Sequence, residues 1–164
     1  NMKIQTLSKT KFVLHTGENQ PAATLGYTDS GFLGAELITC DNFLIRQTGT
    51  GIWHTMLQTK KIASTTIEPG ARLIIQLVNR RRKYRFTRSS NWRLRFSLYH
   101  QNGEEILALL PRVNWQKESH DFILQMNEEY ERECDSFLIL QALHCANLCL
   151  SMMNGGKVPA LINI

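Results

Sequence analysis

The most concentrated group of chemically active side chains is a basic run at residues 79–88. Six of the chain's 19 Lys and Arg residues lie in these ten positions, interleaved with Tyr84 and Phe86. Guanidinium groups form paired hydrogen bonds to phosphate oxygens, so the run favours binding of an anionic, phosphate-bearing ligand. If the two aromatic rings point into a core, the period of two along a strand turns the cations outward. We therefore expect a ligand site on two neighbouring strands, made by Arg81, Lys83, Arg85, Arg93 and Arg95.

Three interpretations of this basic run are open: two external partners and a solvated surface without one. The net charge is +5, and residues 71–100 hold nine basic and no acidic residues, whereas residues 101–164 hold four basic and nine acidic ones. An anionic membrane or phospholipid headgroup is the partner we favour, since several cations near such a surface bind it additively. Nucleic acid is the alternative, with Tyr84, Trp92 and Tyr99 nearby for base stacking. The third possibility is a solvated face that pairs with the acidic residues Glu128, Glu129, Glu131 and Glu133.

The remaining polar residues give little material for catalysis or metal binding. His100, His120 and Asp121 are the best candidates for an enzyme, but no glycine-rich phosphate loop or nucleophile elbow accompanies them. Cys145 and Cys149 are one helical turn apart, beside His144, and we interpret them as core residues because no fourth ligand has suitable spacing. Single aromatic residues such as Trp53 and Trp115 are interpreted as packing rather than as the lining of a pocket. We expect no catalytic residue, no metal and no cofactor.

Size and composition indicate one globular domain spanning residues 1–164. The chain has a mass of 18.9 kDa, is 43% hydrophobic and is 20% charged, which excludes intrinsic disorder and a disulfide-dependent miniprotein. The four cysteines show no paired spacing, which favours reduced thiols. No signal peptide is recognisable, so we expect a cytoplasmic protein that associates with the membrane at most peripherally. The oligomeric state is left open.

Short alternating apolar runs fill the chain up to residue 126 and predict about a dozen strands. Asn102-Gly103 is the clearest turn, because Asn-Gly tolerates the positive φ of a two-residue hairpin. The strand before it has apolar Phe96 and Leu98 on one face, and we expect its other face to be basic and wet. The predicted strands cover residues 2–7, 11–16, 22–28, 35–40, 43–48, 52–58, 61–67, 72–78, 83–88, 92–100, 105–110 and 120–126.

Residues 136–154 contain no charged residue, no Gly and no Pro, and they predict one long helix. Asp135 provides an N-cap carboxylate. The helix is apolar nearly all round, so protein or lipid must enclose it. A membrane span is disfavoured because Gln141, His144 and Asn147 are costly in lipid. A closed barrel of about twelve strands is wide enough for a helix about 10 Å across, so we predict a mainly β fold in which an antiparallel barrel surrounds a buried C-terminal helix.

The second half of the chain resembles the tubby C-terminal-like superfamily, and most closely the LURP-one-related proteins. The resemblance is carried by Lys83-Tyr84-Arg85-Phe86, by residues 92–99, by Asn102-Gly103, by Glu105-Ile106-Leu107-Ala108, by Asp121-Phe122-Ile123-Leu124 and by the helix at 135–153. It implies a twelve-stranded barrel around a central helix. Tubby proteins bind phosphoinositides through basic residues on the barrel exterior, so the resemblance also implies a non-enzymatic binding or scaffold module for anionic phospholipid headgroups.

Overall fold

The computed structural model describes residues 2–17, 19–29, 31–70, 72–90 and 94–153. Twelve strands precede a short 3-10 helix at Glu128–Tyr130 and one long α-helix, α1, at Ser136–Met153. The strands are β1 (Lys3–Ser8), β2 (Lys11–Thr16), β3 (Gln20–Tyr27), β4 (Gly34–Ile38), β5 (Asn42–Gly49), β6 (Ile52–Leu57), β7 (Lys60–Glu68), β8 (Arg72–Leu77), β9 (Arg82–Ser90), β10 (Leu94–Tyr99), β11 (Glu105–Asn114) and β12 (Ser119–Met126).

The sheet is a closed antiparallel barrel in which every strand pairs with its neighbours in the chain. β1 pairs with β12 and so closes the ring. All twelve predicted strands are confirmed, with ends that differ by a few residues. The predicted start of β10 at residues 92 and 93 lies outside the described residues.

Strand alternation fills the barrel interior. On β8, Leu73, Ile75 and Leu77 are all fully buried, whereas Arg72 and Gln76 alternate with them and are exposed. The two faces of a strand differ in this way because successive side chains point to opposite sides of a sheet. The inward side chains of the strands meet α1 and form one continuous core.

Helix α1 passes through the inside of the barrel. Its fifteen residues from Phe137 to Ser151 are buried, and the side chain of Asp135 accepts the Leu138 backbone N–H at 3.0 Å, which confirms the predicted N-cap. The helix is long and apolar enough to cross a membrane by length and composition, but 83% of it is buried inside the protein. The barrel therefore supplies the enclosure that an apolar helix requires.

Polar side chains of α1 find partners on the barrel wall. Gln141 donates from Nε2 to the Thr55 hydroxyl on β6 at 2.8 Å. His144 and Asn147 both contact the hydroxyl of Tyr27 on β3. These hydrogen bonds offset part of the penalty for burying polar groups, whereas Gln141 Oε1 and His144 Nε2 are buried without a partner among the described residues.

The two open ends of the barrel differ in which end of α1 they hold. The N-terminal rim is the end where α1 begins, and it carries the β8–β9 and β10–β11 turns. There Arg80 forms an ion pair with Asp135. The C-terminal rim is the end where α1 stops, and it carries the β7–β8 and β11–β12 turns. There Gly70 and Cys149 line the same cavity.

Candidate anionic-ligand site

Two cations of β9, Lys83 and Arg85, stand where strand alternation predicts them. Tyr84 and Phe86 point into the barrel and are 1% and 0% exposed. Lys83 and Arg85 alternate with them and are exposed on the outer surface. Arg81 lies in the turn before the strand, with a φ of 51°, and is also exposed. We call Arg81, Lys83 and Arg85 the basic face.

The side chain of Arg85 is held by an aromatic ring. Its guanidinium carbon lies 4.8 Å from the centroid of the Tyr99 ring, and the two residues are directly opposite across β9 and β10. A cation–π contact attracts the guanidinium to the ring face and restricts its rotamers. The charge stays accessible, and less side-chain entropy remains to be lost when a ligand binds.

Neighbouring arginines of the same run are neutralised by the acidic segment before α1. Arg80 pairs with Asp135, and Arg82 Nε lies 3.7 Å from a Glu133 oxygen. The predicted pairing with the acidic segment is therefore confirmed at Glu133. Glu128, Glu129 and Glu131 form no ion pair with the described residues, and neither do the three members of the basic face.

Of the two predicted site members on β10, the structure describes one, and that one is not in the basic face. Arg95 is half-buried, forms an ion pair with Glu105 at 2.5 Å and donates to the Gln125 side chain at 2.8 Å. Its side chain thus extends across β11, and Ser97 on the same face of β10 is only 1% exposed. The expectation of a wet basic face on β10 is therefore wrong in the described part of that strand. Arg93 lies outside the described residues.

A hydrogen-bonded cluster around Glu133 fixes β9 to the chain just before α1. The Tyr84 hydroxyl donates to Glu133 at 2.5 Å, and His100 Nε2 lies 3.6 Å from the same carboxylate. Burial and the bond to this carboxylate raise the pKa of Tyr84. The cluster holds the first half of β9 in place, so the position of the basic face is tied to the start of the core helix.

The candidate enzyme residues are scattered rather than assembled. His100 lies at the N-terminal rim, whereas His120 is 1% exposed inside the barrel near the C-terminal rim. Asp121 follows His120 on the strand and points the other way, where it accepts the Thr6 backbone N–H at 2.9 Å. Burial lowers the pKa of His120. These three residues therefore do not form one catalytic site.

Cysteines of the core are buried and weakly acidic. Burial raises the pKa of Cys149 to about 12, although Arg88 nearby acts in the opposite direction. Cys145 is fully buried, and its pKa is also raised by burial. All four cysteines are free. Within the described residues, no group of three or more His, Cys, Asp or Glu side chains is placed to hold a metal ion.

No protein-family model matches the chain, and no curated protein or solved structure is significantly similar to it. The barrel around a buried helix is observed directly. The kinship with tubby-like proteins stays a prediction from the sequence, and the site rests on the chain's own residues.

Proposed function

We propose that this protein is a non-enzymatic binding module whose basic face binds anionic phospholipid headgroups. One observation carries the proposal: Arg81, Lys83 and Arg85 are exposed together and form no ion pair with the described residues, although Arg80 and Arg82 beside them do. Each cation that reaches an anionic surface contributes about 1 kcal/mol. Three such cations give a useful affinity only if a ligand engages them together.

Aromatic side chains favour a headgroup over a nucleic acid. Proteins that bind single strands usually stack bases on exposed rings. Tyr84 is 1% exposed and its hydroxyl is committed to Glu133. The Tyr99 ring is half-buried and covered by Arg85. We therefore expect phosphate contacts rather than base stacking on Tyr84 or Tyr99 at the basic face, and Trp92 lies outside the described residues.

The predicted kinship supports the same ligand class. Tubby-like barrels bind phosphoinositides through exterior cations, and the basic face lies on the outer surface of a barrel with a central helix. The similarity of placement adds support to the proposal.

A soluble headgroup analogue tests the basic face without a bilayer. Isothermal titration with inositol hexakisphosphate and with a single-stranded oligonucleotide, each at two salt concentrations, compares the two ligand classes. The triple variant Arg81→Glu, Lys83→Glu and Arg85→Glu is expected to lose headgroup binding by on the order of a hundredfold.

A matched control changes the same net charge elsewhere. Lys3, Arg46 and Lys60 are exposed cations on other strands, and their triple change to Glu is expected to retain most of the binding. An equal loss in both variants would show that only net charge matters. Preferential binding of the oligonucleotide would replace the headgroup with nucleic acid, and binding of neither ligand would leave the basic face a solvated surface.

A further inference from the structure

Exposed apolar side chains collect at the C-terminal rim. Eight large hydrophobic residues are exposed in the described part of the chain, and five of them lie at this end of the barrel. These five are Leu7, Leu33, Trp115, Met152 and Met153. The other three, Ile38, Leu44 and Val78, lie toward the N-terminal rim. The five residues at the C-terminal rim share one end of the barrel, where a single surface can contact several of them.

Adjacent hairpins carry three of these side chains. Trp115 opens the β11–β12 turn, Leu7 precedes the β1–β2 turn, and Leu33 ends the β3–β4 turn. An ion pair of 2.7 Å between Lys9 and Glu118 joins the first two hairpins. A backbone hydrogen bond of 2.7 Å from Tyr27 to Thr10 joins the second and third. The three side chains therefore lie along one continuous arc of the rim.

Trp115 is the most exposed of the group, at 70%, and Leu33 follows at 58%. An amphipathic indole ring prefers the boundary between lipid headgroups and acyl chains, where its apolar body and its N–H are both accommodated. Leu33 and Trp115 project from turns at one end of the cylinder, and Leu7 lies on the outer face of β1 next to the β1–β2 turn. A bilayer placed against this end meets the two turns first.

Cations accompany the apolar arc. Lys11 and Lys117 are exposed on its hairpins. Across the rim, Arg72 and Arg88 line an open cavity of about 470 Å³ together with both terminal methionines of α1. Glu118 is neutralised by Lys9, whereas Asp29 accepts backbone N–H groups of its own turn and keeps its charge. Glu68, opposite Arg72, and Asp121, opposite Arg112, are the other acidic neighbours in the described residues. The cations at this end still outnumber these three carboxylates, which favours an anionic surface.

We propose that the C-terminal rim docks on an anionic lipid bilayer, with Trp115, Leu7 and Leu33 entering the headgroup region and Lys11 and Lys117 contacting phosphates. This surface is separate from the basic face and does not depend on it. Arg81 lies at the opposite rim, so a bilayer lying across the C-terminal rim does not reach it. The basic face then remains open to a soluble ligand or to a second membrane.

Vesicle sedimentation tests the rim. Vesicles of phosphatidylcholine alone and of phosphatidylcholine with phosphatidylserine are mixed with the wild type, with a rim variant carrying Leu33→Ser and Trp115→Ser, and with a control carrying Ile38→Ser and Val78→Ser. The control residues are 37% and 40% exposed but lie at the other end. The rim variant is expected to lose affinity for the anionic vesicles by on the order of a hundredfold, and the control is expected to keep it.

Brominated lipids report whether Trp115 enters the bilayer. The chain has three tryptophans, so the Trp115 signal is the difference between the wild type and Trp115→Phe. We expect bromine on the upper acyl chain to quench this difference signal. Absence of quenching, or equal vesicle binding by the rim variant and the control, overturns the proposal.

Two further outcomes also overturn the proposal that the C-terminal rim docks on a bilayer. Loss of vesicle binding in the Arg81, Lys83 and Arg85 variant alone would assign the bilayer to the basic face. A dimer that sediments as such in the wild type and is lost in the rim variant would assign the arc to a second copy of the chain. Inositol hexakisphosphate binding is measured on the rim variant as well. If the rim proposal fails but the basic face is correct, the rim variant still binds this ligand; if the basic face is wrong, neither the wild type nor the rim variant binds it.

Discussion

The Tyr27 hydroxyl on β3 lies 2.8 Å from Nδ1 of His144 in the core helix. The same hydroxyl oxygen accepts a hydrogen bond from Asn147 Nδ2 at 3.3 Å. The hydroxyl can donate its hydrogen to Nδ1 when the neutral imidazole carries its proton on Nε2, an atom that is buried without a hydrogen-bond partner among the described residues. Burial lowers the pKa of His144 to about 3 and raises the pKa of Tyr27. One barrel hydroxyl thus contacts two polar side chains of α1.

Acid should destabilise the barrel through His144. Its pKa is near 6.5 in the unfolded chain and about 3 in the folded one, so below pH 6.5 the unfolded state binds the extra proton. The contribution of neutral His144 to the free energy of unfolding is complete above pH 6.5, and it falls by about 1.4 kcal/mol per pH unit below pH 6.5. Urea unfolding at pH 7, 6 and 5 should therefore give a shallower pH dependence in His144→Gln than in the wild type. Parallel pH profiles would show that His144 does not titrate in this way.

Removal of the Tyr27 hydroxyl should lower the free energy of unfolding. Tyr27→Phe leaves a ring nitrogen of His144 and an amide of Asn147 buried without this partner, at roughly 1–3 kcal/mol for each unsatisfied group. Tyr99→Phe is the control, because the Tyr99 ring is half-buried and should change the free energy of unfolding by less than about 0.5 kcal/mol. Chemical denaturation of both variants measures the difference. Equal stabilities would contradict the hydrogen-bonding role of Tyr27.

Local patterns in the sequence predicted the strands and the helix, but not the contacts between distant segments. Alternation around Tyr84 and Phe86 placed β9 correctly, and Asp135 was recognisable as an N-cap because both signals depend on close neighbours in the chain. The bond from Gln141 to Thr55 joins residues 86 positions apart, and no local pattern reports it.

At the candidate site, sequence indicated the cations but not their partners. The ion pair of Arg95 with Glu105 depends on the register of β10 and β11, which the sequence leaves undetermined. Trp53 is buried as expected and donates to the Phe32 carbonyl at 3.0 Å. The interpretation of Trp115 as packing was wrong, because it lies at a turn, where a side chain has no sheet face to pack on.

A charge inside the barrel should prevent folding. Leu143 is fully buried in the middle of α1, and an unpaired carboxylate there costs an amount comparable with the total stability of about 5–15 kcal/mol expected for a domain. Leu143→Asp should therefore yield unfolded or aggregated protein by circular dichroism. Met153→Asp, on the same helix but 41% exposed, should fold normally. A folded Leu143→Asp variant would show that the site is accessible to water.

The seam between β1 and β12 should be the first part of the barrel to open. Among the described residues, two residue pairs join these strands, against eight between β11 and β12. Asp121 strengthens the seam by accepting the Thr6 backbone N–H of β1, and an Asn114 amide N–H from β11 holds the same carboxylate in place. Asp121→Ala should accelerate hydrogen exchange in β1 while leaving β10 unchanged, and should lower stability by about 1–3 kcal/mol. Uniform acceleration across the barrel would contradict a local seam.

Thiol accessibility tests enclosure of α1 most directly. Cys40 is exposed, whereas Cys134, Cys145 and Cys149 are 1%, 0% and 4% exposed, and burial raises the pKa of all three. Ellman's reagent at pH 8 should titrate one thiol promptly in the native wild type, none in Cys40→Ser, and all four of the wild type in denaturant. Prompt reaction of Cys145 and Cys149 in the native protein would contradict a helix enclosed by the barrel.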